Sequence, residues 1–243
     1  MKQVLGAFEE NKRALNLFFN ALCLTEKEIN ESEITEDLKE KQILFSVQKS
    51  SFILMLYNII ESTVTNILIQ INSVLVSYSS LLMYSDFDND IRKLWIKLQI
   101  QNLTTAGKET RAQELSVLCD ILCKTLEKPI DWKRNKDFIN FEKVKGIYSA
   151  SGNMDFRKIV SIFKEYNIDI SRNNAPALSS IKDLRNKLAH GNLSFQSASS
   201  SKSMRDLEDD KNQVIRFLEN LLGKSKEYHT SLEKKLRWKI DCR

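Results

Sequence analysis

Apolar residues recur every three to four positions along almost the whole chain, the spacing that lines one side of a helix. Val4, Leu5, Phe8, Leu15, Phe18, Phe19 and Leu22 make the first stripe. The second runs from Phe45 through Phe52, Leu56, Ile60, Val64, Ile67 and Ile71 to Leu75, and predicts a helix from about 43 to 80. A helix that long belongs at the centre of a bundle, buried on two faces. Shorter amphipathic runs follow in "IRKLWIKLQIQNL", in "KETRAQELSVLCDILCKTLE" (stopped by Pro129) and in "FRKIVSIFKEY", which Asn153 or Asp155 would cap. Pro176 fits the first turn of the next helix, and a last stripe from about 203 to 238 carries Leu207, Val214, Phe217, Leu218, Leu221, Leu222 and Tyr228.

The stretches between these runs are polar. "EKEINESEITEDLKE" reads as a solvated loop and helix start. "LSFQSASSSKS" reads as a mobile Ser-rich loop. Residues 129–153 interleave Lys133, Arg134, Lys136, Lys143 and Lys145 with Trp132, Phe138, Phe141 and Tyr148. Two readings stay open there: a surface for single-stranded nucleic acid, or a loop whose aromatics pack on the core. The end of the chain, 224–243, is a basic extension. No repeat and no linker divides the sequence, so the expectation is one all-α domain over 1–243, an up-and-down helical bundle with a long central helix.

Composition agrees with that expectation. Six glycines and two prolines among 243 residues leave little material for the turns of a many-stranded sheet. A net charge of +5 permits an anionic partner without requiring one. Cys23, Cys119, Cys123 and Cys242 contain no CxxC pair, and Cys119 and Cys123 fall in an apolar run as buried thiols would. Early charges at Glu9, Glu10, Lys12 and Arg13 spoil a secretory leader. Asn58, Glu61, Asn66, Gln70 and Asn72 interrupt the most apolar segment, which a bilayer span tolerates badly. A reduced, cytoplasmic protein without a membrane segment is expected.

Candidate chemistry concentrates in "IKDLRNKLAHGNLSF", residues 181–195. Asn186 and His190 are one helical turn apart and share a face. Arg185 lies about 140° from His190 around an ideal helix. Gly191 suits the left-handed conformation that ends a helix, which leaves His190 beside the last carbonyls. An imidazole exchanges protons near neutral pH, and a guanidinium grips two phosphate oxygens at once. Asn186 would donate to a phosphoryl oxygen or fix the imidazole. Together they suit phosphodiester cleavage, where charge grows on phosphoryl oxygens and a hydroxyl loses its proton. Spacing alone leaves the plain alternative open: Arg185 pairs with an acid, and His190 only caps the helix.

The same stretch resembles the R-x4-6-H signature of the HEPN superfamily, here in the form R-N-x3-H. "SGNMDFRKIVSIFKEYNI" before it and "SFQSASSSKSMRDLEDDKNQVIRFLENLLGKSKEY" after it are similar to a bacterial MAE-type subgroup. So is "MLYNIIESTVTNIL", an early helix with a polar residue and a Glu among apolar ones. The resemblance spans about 43–230. It implies a two-fold homodimer whose paired motif helices form a composite cleft, and a metal-independent endoribonuclease that needs no cofactor. By motif position Arg185 would stabilise the scissile phosphate, His190 would transfer a proton, and Asn186 would orient either one. Attack by the ribose 2′-OH would leave a 2′,3′-cyclic phosphate. Arg185 of one protomer would complement His190 of the other, which removes the angular difficulty. Lys182 and Lys187 would attract the RNA backbone or stay solvated. Glu61 either holds Arg185 or is a surface carboxylate. His229 is expected to be an exposed helix residue. The resemblance also implies a bacterial defence or toxin–antitoxin setting, with an antitoxin or another defence protein as partner. Non-catalytic relatives leave a second reading, an RNA- or nucleotide-binding or dimerisation module.

Overall fold

The computed structural model describes residues 1–33, 36–79, 81–82, 86–89, 92–93, 154–171 and 175–242. All regular structure among them is helical: α1 (Lys2–Glu31), α2 (Glu36–Ser79), α3 (Phe156–Glu165), α4 (Pro176–Ala189), α5 (Phe195–Ala198) and α6 (Met204–Asp241). The chain is all-α, as its periodicity predicts. The helices expected near 91–103 and 108–127, the basic-aromatic stretch 129–153, Cys119 and Cys123 lie outside the described residues, apart from isolated positions at the start.

Two compact units are defined by their contacts. The first comprises 1–66, 153–159 and 171–222. Its core forms where the first two stripes meet: the Phe52 ring lies 6.0 Å from Phe18 and 5.5 Å from Phe19, centroid to centroid. Phe52, Ile53, Leu56, Tyr57 and Ile60 are all buried, an arc wider than one narrow stripe. That width is what a helix covered on two faces requires. α6 joins this core through Leu207, Val214, Phe217 and Leu218, with the Phe217 ring 5.8 Å from Phe156. A Lys12–Glu219 ion pair at 2.6 Å links α1 to α6 on the surface.

The second unit comprises 67–152, 160–170 and 223–243. Ile67, Ile71, Ile162, Phe163, Tyr166, Leu232 and Leu236 are buried in it. The Tyr166 hydroxyl donates to Asn72 Oδ1 at 3.3 Å, and its ring meets Tyr228 edge-on at 6.4 Å. The basic end of α6 is packed here: Lys235 pairs with Asp88 at 2.9 Å, and Lys239 donates to the Asp86 carbonyl. His229 is not the exposed residue its charged surroundings suggest. Its side chain is only 15% exposed and sits 4.0 Å from Glu233. Burial lowers its pKa, partly countered by Glu233.

Two polar stretches differ from expectation. Most of the acidic segment is helix, because α1 runs to Glu31 and α2 begins at Glu36 with Glu36 and Asp37 in its first turn. Acidic side chains suit a helix N-terminus electrostatically, so charge density alone does not mark a loop. The Ser-rich segment is also folded. Ser194 and Ser197 form a reciprocal capping box around α5. Ala198 and Ser199 are buried, and Ser199 donates to the Ser46 carbonyl at 2.8 Å. The Ser50 hydroxyl donates to the carbonyl of Phe195 at 2.5 Å. α2 is long and apolar enough to cross a membrane by length and composition, yet 56% of its most apolar stretch is buried inside the structure.

Candidate functional site

α4 is built to present its C-terminal end. Pro176 stands in its first turn, where a missing N–H costs nothing. Ala177, Leu178, Ile181 and Leu188 are buried on one face. Arg185 falls in the same stripe, seven residues after Leu178 and three before Leu188, where an apolar residue would be expected. The helix stops in a Schellman motif. Gly191 has φ +69°, its N–H donates to the Leu188 carbonyl at 3.1 Å, and Asn192 N–H donates to the Lys187 carbonyl at 2.8 Å. Nothing lies within 4 Å of a Cβ placed on Gly191, so only backbone conformation selects glycine. Gly191→Ala should therefore destabilise the first unit by about 1–2 kcal/mol in urea unfolding, the cost of a left-handed L-residue.

The half-buried Arg185 turns toward α2. Its guanidinium carbon lies 4.8 Å from the ring centroid of Tyr57, which is only 1% exposed. Arg185 Nη1 donates to Asn186 Oδ1 at 3.1 Å. Tyr57 is held from its far end, where its hydroxyl accepts the Met154 N–H at 3.3 Å. Burial pushes the Tyr57 phenol up, an effect that Glu61 reinforces and Arg185 and Lys182 oppose. Glu61, one turn after Tyr57, is half-buried and forms no ion pair with Arg185 among the described residues.

Lys182 is tied into the fold. Its ammonium pairs with Asp155 at 3.1 Å and with Asp183 at 3.3 Å, and the hydrogen bond to Asp155 raises its pKa. Asp155 caps α3 by accepting the Lys158 N–H at 2.9 Å. Burial alone would raise the pKa of this carboxyl; the Lys158 amide and Lys182 outweigh burial and bring it below its ordinary value. Lys187 is exposed. His190 is the C-cap residue, with its N–H on the Asn186 carbonyl at 3.0 Å. Its exposed imidazole makes no hydrogen bond or ion pair among the described residues. Within one chain, then, Arg185 and Asn186 are brought together, and the His190 ring is left facing outward at the helix end.

Comparison with known proteins bears on this arrangement. A model of the HEPN_MAE_28990-like HEPN family matches residues 4–231. The chain belongs to that family. The match reaches back beyond the region in which the HEPN resemblance is traceable by eye and takes in α1. No curated protein and no solved structure matches the chain.

For a HEPN chain the R-N-x3-H motif thus lies on the last turn and cap of α4, with Arg185 anchored and His190 exposed. Tyr57, which supports the HEPN motif from α2, is missed by sequence reasoning; Asp155 is expected as the cap of α3, which it is, but not as the partner of Lys182. A tyrosine inside an apolar stripe reads as core. Its one distinguishing signal was position, one turn before Glu61 in "MLYNIIES".

Proposed function

We propose that the protein is a metal-independent endoribonuclease that acts as a homodimer and cuts RNA in a cleft built from the α4 ends of both protomers. In that cleft Arg185 of one protomer holds the scissile phosphate and carries the charge that grows on its oxygens. His190 of the other takes the proton released by the 2′-OH, and a proton is returned to the departing 5′-oxygen. The 2′-oxygen bonds to phosphorus as the bond to the 5′-oxygen breaks, leaving a 2′,3′-cyclic phosphate and a 5′-OH. Asn186 orients the guanidinium through its Oδ1. Lys187 adds attraction for the RNA backbone, and Lys182 adds what its pairs with Asp155 and Asp183 leave over.

Membership of the HEPN family supports this reading, and one observation carries it furthest: Arg185 is fixed inside a helical stripe with no carboxylate paired to it among the described residues. The exposed position of His190 suits a ring that reacts with a group brought by another molecule. We place the activity in a bacterial defence or toxin–antitoxin type system in the cytoplasm, restrained by an antitoxin or other defence protein.

A non-catalytic RNA- or nucleotide-binding or dimerisation module is the second reading. It is favoured by the lack of any group fixing the His190 ring among the described residues. One experiment separates the two. Purified protein incubated with single-stranded RNA in EDTA should release fragments ending in 2′,3′-cyclic phosphate. Salt-dependent binding without fragments would select the module.

A further inference from the structure

We propose that Tyr57 is the positioning residue of this site, its buried ring fixing the Arg185 guanidinium for a phosphate without consuming that cation's charge. The inference rests on the function proposed above and names a residue outside the motif.

A guanidinium buried in a helix stripe is ordinarily satisfied by a carboxylate, and the resulting pair has little attraction left for an anion. Here the acidic candidate on α2, Glu61, forms no ion pair with Arg185 among the described residues. The cation lies over the Tyr57 ring, its guanidinium carbon 4.8 Å from the centroid. Contact with an aromatic face is electrostatically favourable and uses none of the five N–H donors. Among the described residues only Nη1 is engaged, on the neutral amide oxygen of Asn186. Among those residues the remaining edge keeps its charge and its donors.

The ring is as firmly placed as the cation. It is 1% exposed, and its hydroxyl accepts from Met154 N–H. The next residue, Asp155, is joined to Lys182 of α4, one turn before Arg185. Tyr57, Met154, Asp155, Lys182 and Arg185 therefore form a closed circuit of contacts within the first unit. A rigid support of this kind lowers the entropy lost when a flexible Arg side chain is ordered on phosphate.

The test uses full-length protein and a 2′-O-methyl oligoribonucleotide, which binds but lacks the attacking hydroxyl. Tyr57→Phe keeps the ring and should bind within about twofold of wild type. Phenylalanines carrying increasing numbers of ring fluorines at position 57 keep the shape and drain the negative face. Affinity should fall step by step, to about tenfold weaker for the fully fluorinated ring. Cleavage of unmodified RNA should fall in parallel with an unchanged pH profile, since His190 is untouched. A flat response across the series overturns the role of Tyr57, as does Tyr57→Phe binding as weakly as the fluorinated ring. Arg185→Ala is the control that isolates the underlying reading. If it binds the probe as tightly as wild type, the phosphate contact itself fails. If it weakens binding while the series stays flat, only the inference about Tyr57 fails.

Discussion

His190→Ala should slow RNA cleavage by about 10²–10⁴-fold, the range that a positioned proton-transfer group contributes. Dimerisation and affinity for the 2′-O-methyl probe should hold. The separation is expected because the fold of the described residues does not rest on the His190 imidazole. It is exposed and makes no hydrogen bond or ion pair among the described residues. What the fold takes from residue 190 is its backbone N–H on the Asn186 carbonyl, which alanine keeps. The Schellman bonds from Gly191 and Asn192 are also made by main-chain atoms, so the helix end survives the substitution. Under the proposed mechanism this makes a clean variant. Cleavage in EDTA by His190→Ala at the wild-type rate would remove the ring from the mechanism. A parallel fall in probe affinity would make the imidazole a binding group rather than a proton carrier.

That cleanness was partly legible in the sequence. Pro176 and Gly191 bracket α4 by local backbone preference, and local preference is what a single sequence displays directly. The stripes of α1, α2 and α6 were legible for the same reason, because burial on one face must recur with the helical period. The Ser-rich segment was misread because serine favours turns and helix caps alike. Ser194 and Ser197 use that preference to start α5, and the burial of Ser199 depends on α2, some 150 residues earlier in the chain. His229 sits among charged neighbours in sequence, yet it is half-buried, since burial is set by what packs against a helix and not by who flanks it. The support of Arg185 was hidden for a related reason. The motif shows a cation at a stripe position, but whether a carboxylate or a ring receives it depends on the packing of α2 against α4. Tyr57 and Glu61 were both available from sequence one turn apart, and only the structure separates them.

Arg185→Ala should cost about 10²–10³-fold in cleavage, the usual loss when one charged donor to a developing oxyanion is removed. Arg185→Lys should recover little of it, since an ammonium offers neither the planar, delocalised cation that lies over Tyr57 nor a two-pronged edge for phosphate. The more informative experiment mixes the two inactive proteins, Arg185→Ala and His190→Ala, after unfolding and joint refolding. Random pairing makes half of the dimers mixed. If each site takes Arg185 from one protomer and His190 from the other, a mixed dimer holds one doubly defective site and one intact site. About a quarter of wild-type activity should then return, one half of the dimers with one of two sites working. If each protomer carried a complete site, every site in the mixture would lack one group, and the mixture would stay as inactive as its parents. In a single chain Arg185 turns inward to Tyr57 while His190, five residues on, stands exposed at the cap, so the two point to different places. Return of activity on mixing would mean that a second copy of the helix end supplies the missing half.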